Sequence, residues 1–412
     1  ITPHFIYSIP TLVIYLIYMI TEKKYTALVN LLLQVLFVGI LLGLFRTAIP
    51  ALSESVFLVP KNSFIFLSTF IIAFGIIKGI ANYYAGVFAD KYNRKTVLLL
   101  GWLVAFPVPF IIYFATNWYY IILATFIIGI NQGLTWSVTQ ISSVDITKNE
   151  NRGFIVGLNE FSGYFGVAIG GILVSYMTSL LTVKIALFLF SIIFILIATL
   201  YCIFLVKETK SYANIAFGKN PKNVFLYVTW TNKKLFAYSQ AGHIEKFVDT
   251  CIWIFFPVYL FNNGVTLIEI SYIVGTYTFT WGIFQIFTGL YSDYVGRNLL
   301  IISGMLICSI VLPLCLLSLE FSWWMTCSFF LGLGMALLYP SISSAVNDNC
   351  DDSWRASAIG IYRFWRDTGY ATGALGLGIV TSLVNIEAGF IFVSFSMILS
   401  TLILIFTLKK YS

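Results

Sequence analysis

The sequence predicts an all-α membrane protein with twelve transmembrane helices in two pseudo-symmetric six-helix halves. Hydrophobic residues make up 59% of the 412-residue chain and charged residues 10%, whereas soluble domains carry about 25% charged residues. The charges lie mostly between long apolar runs, and eight identities recur at one spacing of 203 residues. Lipid must therefore cover most of the surface, and the second half of the chain is expected to repeat the first.

One motif between apolar runs is present twice. The first copy contains Gly86, Asp90, Lys91, Arg94 and Lys95. The second copy contains Gly289, Asp293, Gly296 and Arg297. Five further identities keep the same spacing, and they pair Gly101 with Gly304, Gly129 with Gly332, Asp145 with Asp348, Arg152 with Arg355, and Gly157 with Gly360. Identities in three separate loops indicate an internal duplication.

The apolar runs divide into twelve spans once a few charges are allowed inside helices. Their predicted centres lie near residues 40, 75, 105, 130, 165, 195, 250, 280, 308, 334, 370 and 398. The run 96–144 is longer than the roughly 20 residues that cross the hydrocarbon, and Phe114 to Asn117 divide it in two. We assign residues 25–206 to the first half, 207–237 to a linker and 238–412 to the second half.

Two segments are expected to lie outside these spans. Residues 1–24 contain an apolar stretch, 5–20, which is an extra helix, an interfacial segment or a truncated span. The linker is rich in lysine, which is typical of a solvated segment near anionic lipid. Its aromatic stretch 225–230 predicts a short interfacial helix.

The basic residues predict which side each loop faces. Of the 24 Lys and Arg residues, five fall within spans, and only Lys61 and Lys184 lie on the side opposite the Gly86 loop. The other 17 share the side of that loop, which the positive-inside rule places in the cytoplasm. The linker and the C-terminus are therefore expected on the cytoplasmic side of the cell membrane. This placement accounts for the net charge of +7 without nucleic-acid binding.

The repeated motif resembles the loop between the second and third helices of the major facilitator superfamily. The first copy fits that motif throughout, whereas Tyr294 and Asn298 replace two basic residues in the second copy. The resemblance covers residues 25–410 and implies two halves that rock around a site near mid-membrane. It also implies that Asp90 meets the start of the eleventh helix as a latch, with Arg94 and Lys95 held by neighbouring acids. Because its loop has lost two basic residues, Asp293 is expected to contribute less.

Charges inside spans are candidate substrate or proton sites, because a lone charge in lipid is costly. Arg46 in the first span and Asp249 in the seventh are 203 residues apart, and the resemblance implies that they face each other across the central cavity. They form either a substrate or ion site, or a structural pair. The full candidate set is Arg46, Lys78, Asn159, Glu160, Asp249, Arg363, Arg366 and Asp367.

The eleventh span carries three of these charges. Arg363 is 203 residues from Glu160 in the fifth span and has the opposite charge. Arg363 and Asp367 have the i, i+4 spacing of a local ion pair, which leaves Arg366 without a partner. The packing implied by the resemblance places Lys78 of the second span within reach of Asp367.

A row of glycines in the fifth span resembles the glycine-rich motif of the antiporters of that family. The row consists of Gly153, Gly157, Gly163, Gly166, Gly170 and Gly171. Ser162 replaces one glycine of the motif, and Val167 replaces its proline, which removes the expected kink. Because small residues let helices approach closely, a packing seam is favoured over an antiport function for these glycines.

Signatures of soluble enzymes are absent from the sequence. It has no P-loop, no nucleophile elbow and no HExxH motif, so neither a cofactor nor an ATP-driven step is expected. Two histidines exclude a His-rich metal site, and the six cysteines form no CxxC pair. The cysteines are therefore expected to be small apolar residues of helices.

The first functional hypothesis is secondary transport, with export of a small organic molecule coupled to inward proton flow. The chain resembles the drug/proton antiporter-like bacterial efflux members of the superfamily. Glu160, Asp249 and Asp367 are candidate proton carriers, because burial favours a neutral carboxyl group. The alternatives are nutrient uptake or facilitated diffusion and, in another class, a non-transporting membrane receptor or scaffold. The expected partners are the substrate, protons and the lipid bilayer, and the expected state is a monomer.

The predicted orientation is tested with single cysteines in a variant that lacks the native ones. We expect Lys61→Cys to react with an impermeant thiol reagent in intact cells, because Lys61 lies on the outer side. Lys219→Cys in the linker is expected to react only after the membrane is permeabilised. The reverse labelling pattern would overturn the orientation.

Overall fold

The computed structural model describes residues 23–57, 64–147, 151–178, 180–212 and 221–411. Within these ranges the chain forms twelve long helices and no β-strand. The apolar stretch 5–20 lies outside the described residues. All twelve predicted centres fall inside helices, which confirms the predicted architecture.

Six helices form each half. The first half contains α1 (Lys23–Ser55), α2 (Phe64–Lys91), α3 (Arg94–Ala105 and Pro107–Tyr113), α4 (Trp118–Ile146), α5 (Arg152–Thr178) and α6 (Val183–Leu205). The second half contains α7 (Lys233–Thr250, a π-helical turn Cys251–Phe255, and Phe256–Asn262), α8 (Leu267–Val295), α9 (Arg297–Leu314, then a 3-10 turn Cys315–Leu317), α10 (Phe321–Asp348), α11 (Arg355–Leu383) and α12 (Ile386–Tyr411).

Local sequence explains where several helices begin and end. Asn117 caps α4 by accepting a hydrogen bond from the backbone amide of Tyr119 at 3.0 Å, so the predicted division of the run 96–144 is confirmed. Thr266 and Glu269 form a reciprocal capping box at the start of α8. Gly296 has a φ of +98° between α8 and α9, a conformation that favours glycine. The repeated motif therefore has a glycine at the sharp turn of its second copy.

Nine of the twelve helices are long and apolar enough to cross a membrane, judged over the described residues. The other three are α7, α8 and α11. Charged residues interrupt α7 and α11, and these charges lie in the protein interior rather than against lipid. The chain is therefore a multi-pass membrane protein whose most polar helices face inward.

Glycines allow α1 and α5 to pack at close range. A Cβ atom at Gly166 would collide with the carbonyl of Leu36, and one at Gly170 would collide with that of Ile40. Helix α5 runs without a break from Arg152 to Thr178, as the absence of the motif's proline predicts. These contacts support a packing role for most of the glycine row.

Two seams join the halves. In the first, Gly75, Gly79 and Gly86 of α2 all lie so close to α11 that a Cβ atom at any of them would collide with it. In the second, Gly153 and Gly157 of α5 press in the same way against α8, at Gly289 and Gln285. The motif loops lie at one end of both seams, and we call this side of the molecule the motif face.

The described part of the linker follows the sequence prediction in outline. One α-helical turn, Val224–Leu226, and a π-helical turn, Tyr227–Thr231, give the expected short helix. Phe225 packs its ring against Phe364 of α11, with ring centroids 5.8 Å apart. Helix α7 begins earlier than the sequence suggested, at Lys233, because Asn232 caps it through the amides of Lys234 and Leu235. Its first two lysines, Lys233 and Lys234, lie in the segment that the sequence predicts as linker, because a lysine-rich stretch is typical of a solvated loop.

Candidate functional site

Asp90 joins the two halves at the motif face. Its Oδ2 accepts a hydrogen bond from the backbone amide of Ser357 at 2.7 Å and another from the Ser357 hydroxyl. Ser357 lies in the first turn of α11, where free amides and the helix dipole favour a carboxylate. The contact between Asp90 and the start of the eleventh helix is thus confirmed.

Asp293 makes the equivalent contact in the second seam. Its two carboxylate oxygens accept hydrogen bonds from the backbone amides of Gly153 at 2.9 Å and Phe154 at 3.0 Å, in the first turn of α5. Phe154 and Ser357 are 203 residues apart, so the two caps are related by the internal repeat. The basic residues missing from the second copy do not weaken this cap, because its donors are backbone amides.

The arginine of each motif copy binds a second carboxylate at the motif face. The Nε atom of Arg94 lies 2.9 Å from Asp145, and that of Arg297 lies 3.1 Å from Asp348. Both pairs conserve the repeat spacing. Arg94 therefore connects the first motif loop to the end of α4, and Arg297 connects the second motif loop to the end of α10.

The side chains of the two lysines of the first copy form no ion pair with a carboxylate among the described residues. Lys91 is exposed, with its ammonium group 5.3 Å from the ring centroid of Tyr92. Lys95 was expected to bind an acid, but its Nζ donates instead to the carbonyl of Ile203 at 2.7 Å. The expected acid contact of Lys95 is made by its backbone amide, which donates to Glu208 at 3.1 Å. Its side chain instead reaches the last turn of α6, where free carbonyls favour a cation.

Among the described residues, nine side chains of Asp, Glu, Lys and Arg lie where the two halves meet inside the membrane. They are Arg46, Lys78, Glu160, Glu245, Lys246, Asp249, Arg363, Arg366 and Asp367. All are buried except Arg46, which is half-buried. We call this set the central cluster, and it comprises five cations and four carboxylates. Because charges in lipid are costly, such a set must be held by mutual pairing or by a ligand.

Asp367 of the central cluster lies within ion-pair distance of two cations. Its Oδ2 lies 3.4 Å from Lys78 Nζ and accepts a hydrogen bond from Asn82 at 2.7 Å. Its Oδ1 lies 3.3 Å from Arg366. The predicted contact between Lys78 and Asp367 is confirmed, and Arg366 has the partner that sequence reasoning did not find.

Arg363 spans the interface instead of pairing along its own helix. It lies 3.9 Å from Glu160 and donates a hydrogen bond to Gln140. The predicted local pair with Asp367 is therefore wrong, because partners across the interface take this guanidinium. Glu160 also accepts from the indole of Trp136 at 2.7 Å and lies 3.4 Å from the amide of its neighbour Asn159.

Two contacts place the central cluster on the axis that relates the halves. Gln140 donates to Ser343 at 2.5 Å, and these residues are 203 apart. Glu160 and Arg363 have the same separation and also touch. Residues that are related by a pseudo-twofold axis can touch only near that axis. Any movement of the halves about this region must therefore strain or rearrange the cluster.

Arg46 and Asp249 do not form an ion pair in the described part of the chain. Asp249 lies 3.6 Å from Lys246 and accepts hydrogen bonds from Tyr277 and Tyr370. The guanidinium of Arg46 stacks over Trp253, 3.0 Å from the ring centroid. Of the two alternatives, the structural pair is not formed, because Lys246 occupies the carboxylate and Trp253 covers the guanidinium.

Sequence reasoning missed Glu245 and Lys246, which are both fully buried. Glu245 lies 3.3 Å from Lys246 and 3.2 Å from Arg366. The seventh span is predicted to be centred near residue 250, but its uncharged run begins only there, so the charges that precede this run do not stand out. A helix extended back to Lys233 would have shown Glu245, Lys246 and Asp249 as three charges within two turns.

The space around the central cluster is closed towards the motif face and open on the other side. The cavity that touches Arg46, Lys78, Glu160, Arg363 and Arg366 measures only about 10 Å³, roughly the room for one water molecule. A cavity of about 1190 Å³ between α5 and α8 reaches Arg46 from the opposite side.

Comparison with known proteins agrees with this geometry. A family model described as Major Facilitator Superfamily matches residues 31–248 and 239–411. The structure is similar to that of the human organic anion transporter MFSD10 (TETRAN), with a TM-score of 0.73, 15% identity and coverage of 92% of this chain and 98% of that one. It is also similar to a variant of the E. coli fucose:proton symporter FucP, with a TM-score of 0.68, 12% identity and coverage of 94% and 99%. No curated protein sequence matches the chain.

The two caps are tested by removing their charge without changing their shape. Charge-assisted hydrogen bonds are about twice as strong as neutral ones, so Asp90→Asn should weaken the cap by about 1–2 kcal/mol. Such a loss corresponds to roughly a 5- to 30-fold change in an equilibrium constant. We expect faster amide hydrogen exchange by this factor at Ser357 in Asp90→Asn, and at Gly153 and Phe154 in Asp293→Asn.

Asp351→Asn is the matched control for this experiment. Asp351 lies in the loop before α11, and its carboxylate accepts hydrogen bonds from the backbone amide and the hydroxyl of Ser353 in the same loop. Exchange at Ser357, Gly153 and Phe154 should therefore match the parent protein in Asp351→Asn. Unchanged exchange in both cap variants would show that the caps do not hold the motif face closed.

Proposed function

The chain belongs to the major facilitator superfamily and is a transporter rather than an enzyme, and we propose that it exports a small organic molecule in exchange for protons. In this proposal the motif face lies in the cytoplasm, the membrane is the cell membrane, and the protein acts as a monomer. The observation that carries the proposal is the central cluster, in which eight buried charges and the half-buried Arg46 lie where the two halves meet.

The closed and open sides support transport by alternating access. Two aspartate caps and two glycine seams close the motif face, whereas a cavity of about 1190 Å³ leads from the opposite side towards Arg46. In the proposed orientation this is the state in which the cytoplasmic side is closed. Opening the motif face requires both caps to break. The strength of the caps therefore affects the equilibrium between the state in which the motif face is closed and the state in which it is open.

The pairing within the central cluster supports proton coupling. Asp249 neutralises Lys246 in part, and Asp367 does the same for Lys78 and Arg366. A proton on Asp367 would leave Lys78 without its carboxylate partner, and a proton on Asp249 would leave Lys246 to share Glu245 with Arg366. Both changes are unfavourable inside the membrane. Protonation and the binding of another anion are therefore linked, because each changes the charge that the same cations must balance.

The names of the two structural neighbours are compatible with this scheme. One is called an organic anion transporter and the other a fucose:proton symporter. At 15% and 12% identity they share the fold with this chain. The fold thus accommodates both an organic anion as cargo and a proton as the coupling ion.

Proton coupling is tested with the purified protein in liposomes that contain a pH-sensitive dye. We expect candidate substrates to drive proton movement across the membrane in the parent protein. In Asp249→Asn this proton movement should fall at least tenfold, since the carboxyl that takes up the proton is gone. Exchange of labelled substrate across the membrane should persist, because exchange needs no net proton movement.

Glu320→Gln is the matched control, since Glu320 is an exposed carboxylate at the start of α10, away from the central cluster. It should behave as the parent protein does. Substrate flux without proton movement would replace the proposal with facilitated diffusion. Proton movement in the same direction as the substrate would replace it with proton-coupled uptake. No flux of any compound in a folded protein would indicate a receptor or scaffold.

A further inference from the structure

Three glycines of α8 show that α5 and α8 diverge with distance from the motif face. We call the space between the diverging helices the wedge. Gly275, Gly282 and Gly289 are spaced seven residues apart, which places them on one face of the helix at two-turn intervals. A Cβ atom at Gly289 would collide with the backbone of Gly153. At Gly282 it would make an ordinary contact, 3.5 Å from the Cβ of Tyr164, and at Gly275 it would meet nothing within 4 Å.

The other seam between the halves has no such opening. Along α2, a Cβ atom at Gly75, Gly79 or Gly86 would lie within 3.0 Å of an atom of α11. The contact therefore persists along several turns of both helices. The internal repeat predicts equal seams, so the wedge between α5 and α8 is a departure from symmetry that needs a separate explanation.

The wedge forms a large apolar cavity with openings towards lipid. Its volume is about 1190 Å³, above the usual range of about 300–1000 Å³ for small-molecule sites. Phe165, Ile172 and Phe279 line it and are exposed at 52%, 70% and 68%. In a membrane protein, exposed apolar side chains at this position face acyl chains. The cavity thus connects to the half of the bilayer away from the motif face.

One cation is placed at the inner end of this cavity. Arg46 lines the cavity and also touches the small space at the central cluster. Among the described residues its guanidinium has no carboxylate within ion-pair distance and only stacks over Trp253, 3.0 Å from the ring centroid. The other four cations of the central cluster have carboxylate partners. The cluster therefore has one positive charge left to balance, and that charge borders the wedge.

We propose that this cavity binds an amphipathic organic anion, with its acidic head on Arg46 and its apolar body between α5 and α8, and that the anion enters sideways from the adjoining leaflet. The proposal rests on the proposed transport function and names its substrate class. A guanidinium offers a carboxylate or phosphate two parallel hydrogen bonds. The apolar walls disfavour a ligand whose body is strongly hydrated. The open wedge would let a long acyl chain move from the bilayer into the cavity without crossing water.

The test measures equilibrium binding to the purified protein in lipid nanodiscs, so that no transport is needed. The probe is radiolabelled dodecanoate, and the comparison ligands are the dodecyltrimethylammonium cation and benzoate, a short water-soluble anion. We expect dodecanoate to bind and the cation not to compete with it. Arg46→Gln should weaken dodecanoate binding at least tenfold, and Arg46→Lys should weaken it less because the charge remains.

The entry route is tested by filling the wedge. Gly275→Trp places a large ring where the cavity has free space, and we expect it to weaken dodecanoate binding at least tenfold. Gly378→Trp is the matched control, because a Cβ atom at Gly378 on α11 also meets nothing within 4 Å but lies outside the cavity. It should bind dodecanoate as the parent protein does. Both variants should elute as folded protein.

The outcomes separate this inference from the proposed function. Benzoate binding that equals dodecanoate binding and is unaffected by Gly275→Trp would overturn entry from the leaflet in favour of entry from water. Unchanged dodecanoate binding in Arg46→Gln would overturn the role of Arg46. Binding of dodecanoate with the expected variant pattern but without any flux would support the site and contradict the transport function.

Discussion

A charge buried in a bilayer must have a partner, and this constraint organises the structure around its central cluster. Four of the five cations lie within ion-pair distance of carboxylates from their own or neighbouring helices. Contacts between residues 203 positions apart place the cluster on the axis that relates the halves. The least apolar helices are therefore interior helices, and the more apolar helices face the lipid.

The same constraint links the cluster to the motif face. Movement of the halves must rearrange ion pairs on the axis, and it must also break two carboxylate caps on helix N-termini. Each cap joins a helix of one half to a helix of the other. The first cap binds α2 to α11, and the second binds α8 to α5. The caps can therefore hold both seams closed at one end, while the α5–α8 seam stays open at the other.

The architecture was predictable because it follows from long-range patterns in the sequence. Apolar runs located all twelve helices, and the spacing of 203 residues identified the motif copies. The contacts of Asp90 and of Lys78 followed from the resemblance to the superfamily. Partners within the central cluster were harder to predict, since helix periodicity does not say which of several neighbours a long side chain will reach. Arg363 contacts Gln140 and Glu160 across the interface and not Asp367 on its own helix.

The charged stretch before residue 250 shows a second limit of sequence reasoning. Glu245 and Lys246 do not stand out as candidate site residues, because they precede the uncharged run that locates the seventh span. They are fully buried in α7, and their mutual pairing makes this possible. The wedge at Gly275 was also invisible, because a glycine in a membrane helix indicates close packing as readily as open space.

The central claim is that the halves rock about the charged cluster, with the aspartate caps closing one side. Spin-label distances on both faces test this most directly, with one pair at Tyr92 and Tyr294 on the motif face and another at Tyr119 and Leu317 on the opposite face. All four residues are exposed. On moving from alkaline to acidic pH, which neutralises carboxylates, we predict that the motif-face distance lengthens while the opposite distance shortens. Two distances that stay fixed, or that lengthen together, would contradict the account.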